Sequence, residues 1–219
     1  MLAHQLINSN YPSLNLSDKV SLALQFMEDF DVQHLPVISG EKYVGLISKD
    51  DLLDVADDSS IEALEDDLLK KSVKGSEHFF SALKLSASLS VSIVPVVNET
   101  SEFLGAIPYN ELVRAASSYL GAEDPGALIV LEMERKHYSF GEISRLIETN
   151  DAYITQLNTS SETETGLLIV TIKVNKLEVS AIIATFQRYD YSIRYFFGEE
   201  DYENELRFNY DHLMSYLKM

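Results

Sequence analysis

The sequence predicts an α+β protein: two helix–strand–strand–helix repeats, then a β-α-β-β-α-β unit. Three observations carry this. A phrase recurs: "GLISKDDLL" at Gly45–Leu53 returns sixty residues on as "GAIPYNELV" at Gly105–Val113. Pro36 and Pro95 hold equivalent places in the apolar runs upstream, and punctuation repeated at matching offsets marks an internal repeat. After "GAEDPG" (Gly121–Gly126) the grammar changes, and apolar strands alternate with two amphipathic helix faces.

The elements follow in order. Val20, Ala23, Leu24, Met27 and Phe30 recur at spacings of three and four and predict a helix over Ser17–Phe30, with Ser17 as its N-cap. "HLPVI" (His34–Ile38) and "YVGLI" (Tyr43–Ile47) are short strands joined by the hairpin-type "SGEK", and Ser48 opens a helix from Lys49 to about Val55. "DVADDSSIEALEDDLLKK" reads as an acidic connector, a solvated helix or linker whose apolar edge is Ile61, Leu64, Leu68 and Leu69. The pattern then repeats: a helix over Glu77–Leu89, strands Ser92–Val97 and Phe103–Ile107, and a helix from Asn110 to about Ser118. A proline cannot donate to a strand ladder, so Pro36 and Pro95 each require an edge position or a break.

In the third part, "ALIVLEM" (Ala127–Met133) is a strand and "SFGE" (Ser139–Glu142) a capping box, before a helix face of Ile143, Leu146 and Ile147. "AYITQLN" is a strand, "TSSETETG" a polar turn and "LLIVTIKV" (Leu167–Val174) a strongly apolar strand. Asn175 and Glu178 predict a second capping box ahead of Val179, Ile182, Ile183 and Phe186, and "YSIRYFF" closes the unit. This order is the ferredoxin-like arrangement. An acidic tail from Gly198 leads into an amphipathic stripe of Leu206, Tyr210, Leu213, Met214 and Leu217, which predicts a final helix.

Composition narrows the function. The 219 residues are 46% hydrophobic, enough for real cores, and contain no cysteine, which excludes disulfides and thiolate chemistry. A net charge of −18 disfavours nucleic acid and anionic membrane as partners, because both present phosphate. No apolar run reaches membrane-spanning length, and the N-terminus lacks the form of a signal peptide, so the expected location is the cytoplasm. The five histidines show no zinc-ligand spacing. With no Gly-x-Ser-x-Gly elbow, Walker loop or Gly-x-Gly-x-x-Gly fingerprint, and no isolated catalytic couple, the expectation is a protein that is not an enzyme.

The two strings "HLPVI…YVGLISKDDL" and "IVPVV…FLGAIPYNEL" resemble CBS repeats, which occur in pairs as a Bateman module. The resemblance covers 1–120, with repeat one at about 1–56, the connector at 57–71 and repeat two at about 72–120. The unit at 127–197 is similar to an ACT-like domain, and 198–219 forms the tail. A CBS pair followed by such a domain is similar to bacterial acetoin-utilisation-like CBS proteins. That resemblance implies a homodimer, a regulated partner protein and an adenosine ligand: AMP, ADP, ATP or an S-adenosyl compound, with magnesium as an optional companion of a bound phosphate. In ACT domains that bind amino acids an Asp-x-x-Gly turn follows the first strand. Here Tyr138 precedes Gly141 in the Asp place, which counts against an ordinary amino-acid site.

Ser48 ends a strand and starts a helix, where unpaired amides favour an anion. In nucleotide-binding CBS repeats a Ser or Thr stands near the phosphate and an Asp holds the ribose. Carried over, this nominates Ser48 and Asp51, with Gly45, Leu46 and Ile47 as one wall and Pro36 and Val37 as another. Ser48 and Asp51 are also one methylene short of a standard capping box, which needs no ligand. In the second copy Pro108 lacks both hydroxyl and N–H, and Glu111 is longer and looser, so the pair is expected to be asymmetric, with only a weak second site. Two rival readings are a ligand-free interaction scaffold and an amino-acid sensor acting through the ACT-like domain.

Overall fold

In the computed structural model, whose described residues are 1–198, the chain divides into two units, Met1–Tyr119 and Leu120–Met219. The expected tail helix lies outside the described residues.

The first unit is built twice from one plan. In the first repeat β1 (Leu14–Asn15), β2 (His34–Ser39) and β3 (Lys42–Ser48) form a sheet in that order, accompanied by α1 (Val20–Asp29) and the short α2 (Lys49–Leu52). In the second, β4 (Val73–Lys74), β5 (Ile93–Val97) and β6 (Phe103–Pro108) do the same, with α3 (Phe79–Leu89) and α4 (Tyr109–Tyr119). Val20, Ala23, Met27, Leu35, Val37 and Ile47 fill the first core, and Ala82, Val94, Val96, Ile107 and Leu112 the second.

The connector departs from expectation. It is not a solvated linker: Ile61 is fully buried and Leu68 nearly so, both in the core of the first repeat. Its one helical turn, Ile61–Leu64, is 3-10, and its backbone is stitched to the repeat through Ile61 N–H to the Asp18 carbonyl and a reciprocal pair between Leu46 and Leu69. The N-terminal segment does the same for the other repeat. The turn at Ala3–Leu6 sends Ala3 N–H to the Glu77 carbonyl, and Asn8 N–H reaches the Ala106 carbonyl. Each repeat is thus completed by a strap running ahead of the other.

The straps explain both repeated glycines. A Cβ on Gly45 would stand 2.5 Å from Leu68 Cβ, and one on Gly105, whose φ is +139°, would stand 2.4 Å from Ile7 Cγ2. No side chain fits where the strap presses on the sheet, and the Gly105 backbone itself favours glycine.

The prolines fall where the ladder breaks, although β2 and β5 are the middle strands of their sheets. They cost no ladder bond all the same. Pro36 lies opposite Leu46, whose N–H and C=O both turn outward to Leu69, and β1 joins β2 only from Val37 onward. Pro95 repeats this opposite Ala106, with β4 pairing from Val96.

Helix starts shift for local reasons. Ser17 does not cap α1. The cap residue is Lys19, and the connector carbonyls of Ser59 and Asp57 take the amides of Val20 and Ser21. The third helix begins at Phe79, with His78 as its cap, and α2 is one turn long.

The second unit takes β7 (Leu128–Met133), α5 (Phe140–Glu148), β8 (Ile154–Ser161), β9 (Leu168–Val174), α6 (Ser180–Arg188) and β10 (Ser192–Phe197), with an antiparallel sheet in the order β10-β7-β9-β8. Ile129, Leu131, Val170 and Ile172 meet Ile143, Leu146, Ile182 and Phe186 in its core. Ser139 caps α5 through its hydroxyl, which accepts from Glu142 N–H at 3.3 Å. That is half of the expected box, since Glu142 does not reach back, and the second capping box does not form. Asn175 accepts from Tyr153 N–H across to β8, and Glu178 accepts from Ser180 N–H, so each side chain serves a different strand end or turn. The polar turn is shorter than its composition suggests, because Thr159–Ser161 extend β8.

Candidate functional site

The strand-to-helix corner at Ser48 is where the repeats differ most. Ser48 N–H and hydroxyl both donate to Asp51 Oδ2, at 2.9 and 2.6 Å, and Asp51 N–H returns a bond to Ser48 Oγ at 3.2 Å. The capping box is complete, with Asp replacing the longer acid. It is also open to water: Asp51 is exposed and Ser48 half-buried. Both bonds that the carboxylate accepts fall on Oδ2 and use its two lone pairs, so contact with a ligand falls to Oδ1.

Beside the corner lies a cavity of about 360 Å³ lined by Gln33, His34, Ser48, Lys49 and Asp50 from the first repeat and Leu89 and Ser90 from the second. It sits on the seam between the repeats. Gln33 N–H donates to Ser92 Oγ at 2.9 Å, and Ser92 N–H donates to His34 Nδ1 at 3.3 Å. His34 therefore accepts through Nδ1 and is neutral, and burial pushes its pKa down against the opposing pull of Asp51 and Asp50. At the other end of the seam Tyr43 and Phe103 stack at 6.3 Å, and Phe103 N–H reaches the Glu41 carbonyl.

The structure brings together only part of the nominated set. Ser48 lines the cavity and Asp51 stands one bond behind it. Gly45, Leu46, Ile47, Pro36 and Val37 are buried, so they shape the corner from within the core rather than lining the opening. Gly45 in particular faces the strap. Gln33, His34, Leu89 and Ser90 were not singled out from the sequence. Their signal was positional, at the residues just before β2 and just after α3, where the two copies meet.

The second corner has other geometry. Pro108 is buried at the end of β6, and Glu111 pairs with Arg114 through both carboxylate oxygens at 3.0 and 2.9 Å. Glu111 also borders a polar cavity of about 350 Å³ along Gln5–Asn10. Among the described residues no group of three or more His, Asp or Glu side chains is placed to hold a metal ion, and no helix is long and apolar enough to cross a membrane.

The second unit carries a larger cavity, about 680 Å³, between the β7–α5 loop and the α6–β10 loop. Its wall includes Tyr138, Tyr189 and Tyr191 together with Glu132, Glu142 and Asp190. Burial, with the Glu142 carboxylate close by, raises the Tyr191 phenol to about 12.

The duplicated sheets give the first unit the fold of a CBS pair, and the second unit has the β-α-β-β-α-β order of a ferredoxin-like, ACT-like unit. The CBS domain family model matches residues 3–58. The crystal structure of a CBS domain pair/ACT domain protein from Thermotoga maritima is similar at 23% identity, covering 55% of this chain and 99% of that one, with a TM-score of 0.50. Also similar are CBSX2 in complex with AMP (22% identity, 54% and 97% coverage, TM-score 0.45) and a Vibrio cholerae protein described as an acetoin utilization protein (17%, 56% and 95%, TM-score 0.47).

Proposed function

We propose that this chain is a non-enzymatic regulatory sensor whose CBS pair takes an adenine nucleotide, chiefly at the Ser48 corner. The observation that carries this reading is the cavity on the seam. It brings Ser48 and Lys49 to one opening, beside Asp50 and with the Asp51 carboxylate directly behind, and its volume lies within the range of small-molecule sites. The phosphate would face Lys49 and Ser48, and the ribose hydroxyls would reach Asp51 Oδ1. Lys49 matters because the net charge of −18 opposes any phosphate.

Regulation follows from where the cavity lies. Its wall is drawn from both repeats, so a ligand there touches the His34–Ser92 seam and favours one packing of the pair over another. A ligand shifts such an equilibrium only by its differential affinity for the two states. The signal would pass to a regulated partner protein through a homodimer. Magnesium would accompany the nucleotide only where a di- or triphosphate needs its charge balanced.

Thermal unfolding with AMP, ADP and ATP tests the reading. At a hundredfold excess over the dissociation constant the stabilisation is about 2.7 kcal/mol. Asp51→Ala should abolish it and Glu111→Ala should preserve it. Absence of a shift with all three nucleotides would leave Ser48 and Asp51 as a helix cap alone.

A further inference from the structure

We propose that the cavity in the second unit is a binding site for a small organic cation, a protonated or quaternary amine. No part of the nucleotide reading bears on it. The cavity, about 680 Å³, is almost twice the volume of the one at Ser48 and lies wholly within the ACT-like unit.

Its wall has the chemistry of a cation receptor. Four carboxylates line it, from Glu132, Glu134, Glu142 and Asp190, against the single ammonium of Lys136. Lys136 is held by Glu134 at 2.7 Å; His137 shares the wall and the Arg194 and Arg145 guanidiniums act on Glu132 and Tyr191, but no ion pair forms on Glu132, Glu142 or Asp190 among the described residues. Three tyrosine rings complete the wall, and aromatic faces attract cations through their quadrupole.

One contact shows a ring of this wall already meeting positive charge. The guanidinium of Arg145 stands over the Tyr189 ring at 5.5 Å, so that ring accepts a cation on one face while the residue keeps 46% of its surface exposed. The Ser192 hydroxyl donates to Glu132 at 3.2 Å, fixing one of the carboxylates at the opening. The loop is the one where the ACT resemblance would place an amino acid, and here Tyr138 stands in the Asp place. The carboxylates of the wall repel an anionic ligand and favour a cationic one.

Calorimetry on the full chain, with tetramethylammonium and putrescine as probes, decides the matter. The expected result is saturable binding of one cation per chain. The Glu132→Gln/Glu142→Gln pair should weaken it at least tenfold, while Glu62→Gln/Glu65→Gln, which removes the same charge from the other unit, leaves it unchanged. Tyr189→Leu should weaken tetramethylammonium more than putrescine, because a quaternary nitrogen depends on ring faces. Equal weakening by both glutamine pairs would reduce the effect to the general field of an acidic protein and overturn the proposal. So would binding of serine or glutamate without binding of either amine. Unchanged unfolding temperatures for the variants keep loss of binding distinct from loss of fold.

Discussion

The two repeats share a backbone plan and differ in what their corners do. In the first, Ser48 and Asp51 close a three-bond box beside a cavity on the seam. In the second, Pro108 ends the strand just before the helix begins at Tyr109, and Glu111 turns along the helix to Arg114. Helix length follows the same divide. The polar corner begins a helix of four residues, α2, whereas the proline corner begins one of eleven, α4. The lesson is that a duplicated fold is held by its straps and glycines, which both copies keep. Its corners are left to diverge because either chemistry can start a helix.

The largest effect should come where the comparison is least symmetric in size. Ile61 and Ala3 occupy the same station in their straps, and both are fully buried. Ile61→Ala should cost about 3 kcal/mol by emptying a close-packed site, read as a drop in the chemical-denaturation midpoint. A loss below about 0.5 kcal/mol would return the connector to the status of a linker. Next comes Gly105→Ala, which forces a Cβ onto Ile7 at a positive φ. About 2 kcal/mol is expected, and Gly45→Ala should also destabilise, through contact with Leu68 alone.

A smaller difference separates the corners themselves. Without ligand, Ser48→Ala should lose about 1 kcal/mol of cap stability, and Arg114→Ala only a few tenths, the worth of an exposed pair one turn apart. Similar losses at both would erase the contrast drawn here. Smallest is a pH effect at the seam. His34 is held neutral in the folded chain, so the unfolded chain binds the extra proton first as pH falls below about 6.5. Its contribution is full above that value and is lost as pH falls on through the depressed folded value. His34→Gln should flatten the stability profile over that window, and an unchanged slope would show that the titrating group lies elsewhere.

Much of this fold was legible because it rests on local signals. Apolar spacing located α1, α3, α5 and α6 to within a few residues, and the order of elements after Gly126 gave the second unit. What could not be read was which surfaces meet. Ile61 and Leu68 showed helical spacing amid acids, and the charge around them suggested solvent, yet the strap seats both under the first sheet. Gly45 and Gly105 were visible as repeats, but the reason for them lies in Leu68 and Ile7, distant in sequence. The Ser48–Asp51 spacing foretold the box. The cavity next to it depends on His34, Leu89 and Ser90 arriving from two repeats, and no spacing in one chain segment encodes that meeting. Asn175 and Glu178 mimicked a cap because the same side chains suit strand ends as well.

The crossing straps also set an order of events during synthesis. Ala3 and Ile7 have no seat until Glu77 and Gly105 have left the ribosome, so the earliest residues of the chain wait for about a hundred more before they dock. Helix α1 can form early, but its first amides wait for Asp57 and Ser59. Separating the halves just after residue 56 would therefore not release two small proteins. It would leave each one missing a piece that travels with its neighbour.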